Sequence, residues 1–253
     1  MEQSDKEVWR YIYDIKKSLE ESNRFFSQNH NDFIKDLKWI FEKCSNVIQS
    51  SEVLYRGRIY NDEDKYEKYH NPEKYEGYVF MGYDKKGSFV NNNNQWPQEG
   101  RMNPHGIKCL YTAKDIDTCI TELNPGYEEL ISIAEIEVKE DLKIVDLSTS
   151  FAMGKSSEKF KIDLSLYIQE LISQGGYNSK DYVFPQFIAE FCKHMKYDGI
   201  AYRSKYSSRS DVLNGNGVNV TIFNYDKCYP IGSKLYSVKK VAVESKLIKS
   251  ENS

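Results

Sequence analysis

From residue 108 onward the hydrophobic period switches between that of a strand and that of a helix, and no regular strand–helix–strand unit recurs. Segment 129–138, ELISIAEIEV, alternates with period two, as a half-buried strand does. Residues 108–113, 142–147, 199–203, 218–223 and 234–243 are further strand candidates. Between them Asp115 is a candidate N-cap for a helix reaching Leu123. Residues 163–173 read as a helix that stops at Gly175-Gly176. Pro185 is expected in the first turn of a helix whose apolar face is Phe187, Ile188, Phe191, Cys192 and Met195. Strands and helices mixed in this way predict an α+β fold rather than a doubly wound parallel sheet.

Upstream of these elements, Val8, Trp9, Ile12, Ile15 and Leu19 recur at helical spacing. Phe33, Leu37, Ile40, Phe41, Cys44, Val47 and Ile48 do so again after Asp32. The chain therefore divides into a helical N-terminal extension over 1–50, a main domain over 51–243 and a frayed tail over 244–253. The helical extension is a candidate packing arm or homo-oligomer surface. A strand is expected at 53–56, followed by a polar stretch over about 60–100 that contains the run Asn91 to Asn94. A stretch of that length is either a lid or binding loop or a merely disordered insertion.

Charge and cysteine usage narrow the function classes. With 35 basic against 38 acidic residues the net charge is −3, which carries no global footprint for nucleic acid or for an anionic membrane. No apolar run reaches the roughly 18 residues of a membrane-spanning helix, and the N-terminus lacks the apolar core of a secretory signal. The five cysteines are odd in number, scattered and without CxxC spacing, so they read as reduced thiols of a cytoplasmic protein. Four dispersed histidines suggest no metal site.

Two familiar phosphate-binding signatures fail on inspection. Gly154-Lys155-Ser156 resembles the end of a phosphate-binding loop, but the position of that motif's first glycine is Thr149. Gly215-Asn216-Gly217 begins like a dinucleotide fingerprint, yet its third glycine position is Val220 and a strand follows, so it reads as a turn.

What remains is a set of polar residues in specific contexts. Arg56 and Arg58 stand in YRGR, and Arg101 stands in GRMNPHG. Arginines near glycine turns suit bidentate recognition of phosphate, although each alone is an ordinary surface residue. Glu122 closes the short helix after LYTA, and Ser204 ends YDGIAYRS, just after a strand. Taken in order, the segments LYRGR, GRMNPHGIKCLYTAKDIDTCITEL, YVFPQFIAEFCKHMKYDGIAYRS and GVNVTIF resemble the RES domain family, named for its Arg, Glu and Ser.

That resemblance, from about Val53 to Phe223, implies an ADP-ribosyltransferase-like mixed sheet that binds NAD⁺ in a cleft. It implies a toxin or defence effector that consumes NAD⁺ by hydrolysis or phosphorolysis, with an antitoxin or regulatory protein as partner. Protein ADP-ribosylation and a catalytically silent nucleotide-binding module are the alternatives. NAD⁺ is then substrate, and no cofactor or metal is implied. By residue match, Glu122, Arg56 and Ser204 are the catalytic candidates. Arg56, Arg58, Arg101, Asn103, Tyr111 and Gln186 are the candidates for substrate binding.

Overall fold

The computed structural model describes residues 3–21, 30–60, 71–74, 82–90, 97–152, 158–174 and 179–242. The Asn91–Asn94 run, the Gly154-Lys155-Ser156 segment, Gly175-Gly176, the tail and most of 60–100 lie outside the described residues. The alternating segment is a nine-residue strand, β4 (Leu130–Val138). Around it the order is α1 (Gln3–Glu21), α2 (Asn31–Lys43), β1 (Ser45–Ile48), β2 (Val53–Ile59), α3 (Lys85–Ser88), β3 (Leu110–Ala113) and α4 (Ile116–Glu122). After β4 come β5 (Leu142–Asp146), α5 (Lys159–Gln174), α6 (Ser179–His194), β6 (Gly199–Arg203), α7 (Arg209–Leu213), β7 (Val218–Ile222) and β8 (Cys228–Ser237).

The strands form one eight-stranded sheet in the order β1-β5-β6-β7-β3-β2-β4-β8. Only the β5–β6 pair is parallel, so the sheet is mixed and the class is α+β. One join is nearly open: β2 meets β3 at a single pair, Tyr55 with Ala113, while β2 meets β4 along its whole length. The sheet therefore splays beside Tyr55, and α4 packs there. Gly57 permits that packing, because a β-carbon on it would lie 2.9 Å from both Cys119 Sγ and Leu123 Cδ1 on the α4 side.

A cluster of buried side chains fills the helical face of the sheet: Ile12 and Leu19 from α1, Phe33 and Leu37 from α2, Leu164 and Ile168 from α5, and Phe184 and Ile188 from α6. They pack against Ile200 and Tyr202 of β6. Each such aliphatic or Phe side chain gains roughly 1.5–3 kcal/mol by burial. Trp9 departs from the expected apolar face of α1: it is exposed and stacks on Tyr13 at 5.4 Å.

Three local expectations change. Residues 45–48 are not the end of a helix: α2 stops at Lys43, and β1 pairs antiparallel with β5. Ile48 is buried in the second core cluster, on the other face of the sheet, so tertiary pairing overrides helical spacing. Pro185 lies inside α6 rather than in its first turn. The flanking Val183, Phe184, Phe187 and Ile188 are buried, and that packing offsets the missing backbone donor. The last strand starts at Cys228 and ends at Ser237, accommodating Pro230 on a sheet edge, with a register shift against Glu135 and Ile136.

Candidate active site

Glu122 occupies its place because of how α4 begins. Asp115 caps the helix, its Oδ1 accepting from Thr118 N at 2.7 Å and its Oδ2 from Thr118 Oγ1 at 2.7 Å. The same Asp115 Oδ2 and Thr118 Oγ1 each accept from Gly217 N at 3.0 Å, which ties the helix start to the turn before β7. Gly217 has φ +72°, a backbone conformation suited to glycine, and its carbonyl accepts from Ser204 N at 2.8 Å. The turn thus positions the start of α4 and the residue after β6 together.

Seven residues later the helix ends on Glu122 beside Ser204. Glu122 Oε1 accepts from Ser204 Oγ at 2.6 Å and from Asn219 Nδ2 at 2.7 Å. Ser204 is 1% exposed and Asn219 7% exposed, so both donors are shielded from water. A carboxylate at a helix C-terminus sits at the unfavourable end of the backbone dipoles, and these two donors stabilise it there. Oε2 makes no hydrogen bond among the described residues. Asn219 was not singled out in the sequence. The available signal was a polar amide within the apolar strand VNVTI.

Glu122 lines a cavity of about 260 Å³ with Arg101, Asn219, Cys119 and the rings of Tyr55, Tyr111, Tyr182 and Tyr202. A second cavity of about 670 Å³ shares Tyr55 and is lined by Ser204, Lys114, Asp117, Tyr206 and Tyr236. The Ser204–Glu122 hydrogen bond therefore lies between the two spaces. Burial pushes the Cys119 thiol up to about 12 and raises the phenols of Tyr111 and Tyr202 above their usual value. None of these groups is ionised near neutrality, and among the described residues no histidine lines either cavity. Among the described residues, no group of three or more His, Cys, Asp or Glu is placed to hold a metal ion.

The other candidates separate into two groups. Arg101 lines the smaller cavity, donating from Nη1 to Ser173 O at 3.3 Å, with its guanidinium 5.9 Å from the Tyr202 ring centre. Behind it, Asn103, Tyr111 and Gln186 lock the GRMN turn. Tyr111 OH donates to Asn103 Oδ1 at 2.6 Å and accepts from Met102 N at 2.9 Å. Asn103 Nδ2 reaches three backbone carbonyls, those of Gln98, Pro104 and Ile107. Gln186 Nε2 donates to Gly100 O and Asn103 O, both at 3.1 Å. The amides of Asn103 and Gln186 are thus engaged within the protein and hold Arg101 in place, while Tyr111 also presents its ring to the cavity.

Arg56 and Arg58 do not join that cavity. Strand alternation sets them with Leu54 on one face of β2, whereas Tyr55 and Gly57 on the other face line the cavity. Arg58 donates to Gly87 O and stacks its guanidinium 4.6 Å from the Tyr83 ring centre. Arg56 makes no hydrogen bond or ion pair among the described residues, and its Nε is buried without an acceptor. Burial, with the adjoining Arg58 charge, lowers its pKa to about 10.

Among solved structures, a chain of the M. tuberculosis MbcT–MbcA toxin–antitoxin complex is similar at 13% identity. The alignment covers 81% of this chain and 93% of that one, with a TM-score of 0.42. No curated protein matches the sequence. The RES domain family matches residues 84–228, more than half of the 253-residue chain. That span includes Arg101, Asn103, Tyr111, Glu122, Gln186 and Ser204, and it begins after Arg56 and Arg58. This chain belongs to the RES domain family.

Proposed function

We propose that this protein cleaves the nicotinamide–ribose bond of NAD⁺ and acts as a toxin or defence effector. The observation that carries this reading is the Glu122 carboxylate, anchored through Oε1 beside a cavity that also holds the Arg101 cation and several tyrosine rings. Heterolysis of the bond sends its electron pair to the pyridine nitrogen, releasing neutral nicotinamide and leaving positive charge on the ribose. A fixed carboxylate against the ribose stabilises that charge as it develops. Arg101 holds a phosphate of the substrate and Tyr111 offers a flat face to a ring. Ser204 secures the carboxylate on its other side.

Arg56, half-buried and without an anionic partner among the described residues, lies within electrostatic reach of the cavity-lining Cys119 and Tyr111 and suits a second contact to the diphosphate through the gap where β2 splays from β3. Water or phosphate then takes the ribose carbon. The larger cavity on the Ser204 side has room for a protein side chain, which keeps ADP-ribosyl transfer as the runner-up. Draining NAD⁺ harms the producing cell, so an antitoxin or regulatory protein accompanies this reading.

The test is a chromatographic time course of NAD⁺ with the purified chain, with and without phosphate. Nicotinamide released in step with NAD⁺ loss supports the reading, and a phosphate-dependent sugar phosphate names the acceptor. An unchanged NAD⁺ pool overturns it.

A further inference from the structure

Asn219 stands where a strand of this kind has little use for an amide. Its neighbours Val218 and Val220 are 2% and 0% exposed and belong to the core cluster on the opposite face of the sheet. Asn is depleted in strands, and a buried amide costs free energy unless it is hydrogen-bonded. Both flanking strands place it: Asn219 lies opposite Ala113 of β3 and opposite Tyr202 of β6, on the face that lines the smaller cavity. There Nδ2 lies 2.7 Å from Glu122 Oε1. An ionised carboxylate only accepts, so the amide must present its N–H₂ side.

The second donor on the same oxygen, Ser204 Oγ at 2.6 Å, comes from the end of β6. Two donors rooted in different strands converge on Oε1, and among the described residues none reaches Oε2. We propose that Asn219 is a positioning residue that, with Ser204, makes Oε1 the anchored oxygen of Glu122 and leaves Oε2 as the oxygen that faces the ribose in the transition state. The inference rests on the NAD⁺-cleaving reading above and assigns that site a member beyond Arg, Glu and Ser. A single donor fixes an oxygen but leaves the carboxylate free to swing about it. Two donors fix its plane, which electrostatic stabilisation of a developing charge requires.

The experiment compares Asn219→Leu and Asn219→Asp with wild type in steady-state NAD⁺ cleavage from pH 5 to 9, with NAD⁺ binding measured by calorimetry. Asn219→Leu keeps the volume and removes the donor; kcat is expected to fall about 10-fold or more at every pH, with affinity within about twofold. Asn219→Asp keeps the shape and sets an acceptor against an acceptor. At high pH it should lose at least as much kcat, and the loss should shrink as pH falls, when a proton shared by the two carboxyls restores a donor to Oε1. Among the described residues, the other titratable groups lining this cavity are Arg101, the Cys119 thiol and the phenols of Tyr55, Tyr111, Tyr182 and Tyr202, with no second carboxylate and no imidazole.

A merely structural amide would change melting temperature and folded fraction without tilting the pH profile. Both variants within twofold of wild-type kcat across the range would overturn the positioning role while leaving the enzyme reading intact. No NAD⁺ loss in the wild type would overturn both.

Discussion

Gly217 links the cap of α4 to the residue after β6, so replacing it tests the construction of the site. Its φ of +72° is costly for alanine, at about 1–2 kcal/mol. Space is the larger difficulty, because a β-carbon there would lie 2.4 Å from both Cβ and Oγ of Ser207. No real contact is that short, so the 204–208 turn must move, adding about 1–3 kcal/mol as overpacking does elsewhere. Gly217→Ala should therefore cost about 2–5 kcal/mol. Gly215 supplies an internal control: its φ is +84°, but nothing lies within 4 Å of the added carbon. Gly215→Ala should cost only the backbone strain, about 1–2 kcal/mol.

Urea unfolding of both variants beside wild type gives the difference between them. The Gly217 variant should also lose NAD⁺ cleavage at concentrations where it remains folded, because Ser204 N and the Asp115–Thr118 cap both depend on this residue. Equal destabilisation by the two substitutions, or full activity in folded Gly217→Ala, would refute the reasoning.

Glu122→Gln keeps the shape and removes the charge; turnover should drop about 10²-fold or more with NAD⁺ binding largely kept, as kinetics and calorimetry would show. Arg101→Ala should chiefly weaken NAD⁺ binding, and unchanged affinity by calorimetry would remove Arg101 from phosphate recognition. Tyr111→Phe leaves Asn103 Oδ1 and Met102 N without their partner, so urea unfolding should reveal a loss of about 1–3 kcal/mol. His30 is 1% exposed, packed near Phe187 and bonded to Ser18, and burial lowers its pKa below the usual value. Its stabilising share is complete above about pH 6.5 and is lost as pH falls through the depressed folded value. Melting temperatures from pH 8 to 5 should therefore fall more steeply in wild type than in His30→Gln.

Much of the site was legible along the chain because its signals are local. The period-two alternation of residues 129–138 specifies a strand whatever lies beside it, and Asp115 caps α4 by reaching only three residues ahead. Glu122, Ser204 and Arg101 were singled out within recognisable segments, and the fold brings all three to adjoining spaces. Residues 45–48 misled because apolar spacing over a few residues suits a helix end and an edge strand equally, and pairing with β5 decided between them.

Only the tertiary structure showed that Asn103 and Gln186 spend their amides on the GRMN turn, that Arg56 and Arg58 share the face of β2 opposite the cavity, and that Asn219 meets Glu122. Those two are 97 positions apart in the chain and 2.7 Å apart in space. Sequence determines what each residue can donate, accept or bury, and which local period it follows. Register between strands and the approach of one helix to a splayed sheet determine which partner it meets, because hydrogen bonds and packing depend on distances that chain order does not encode.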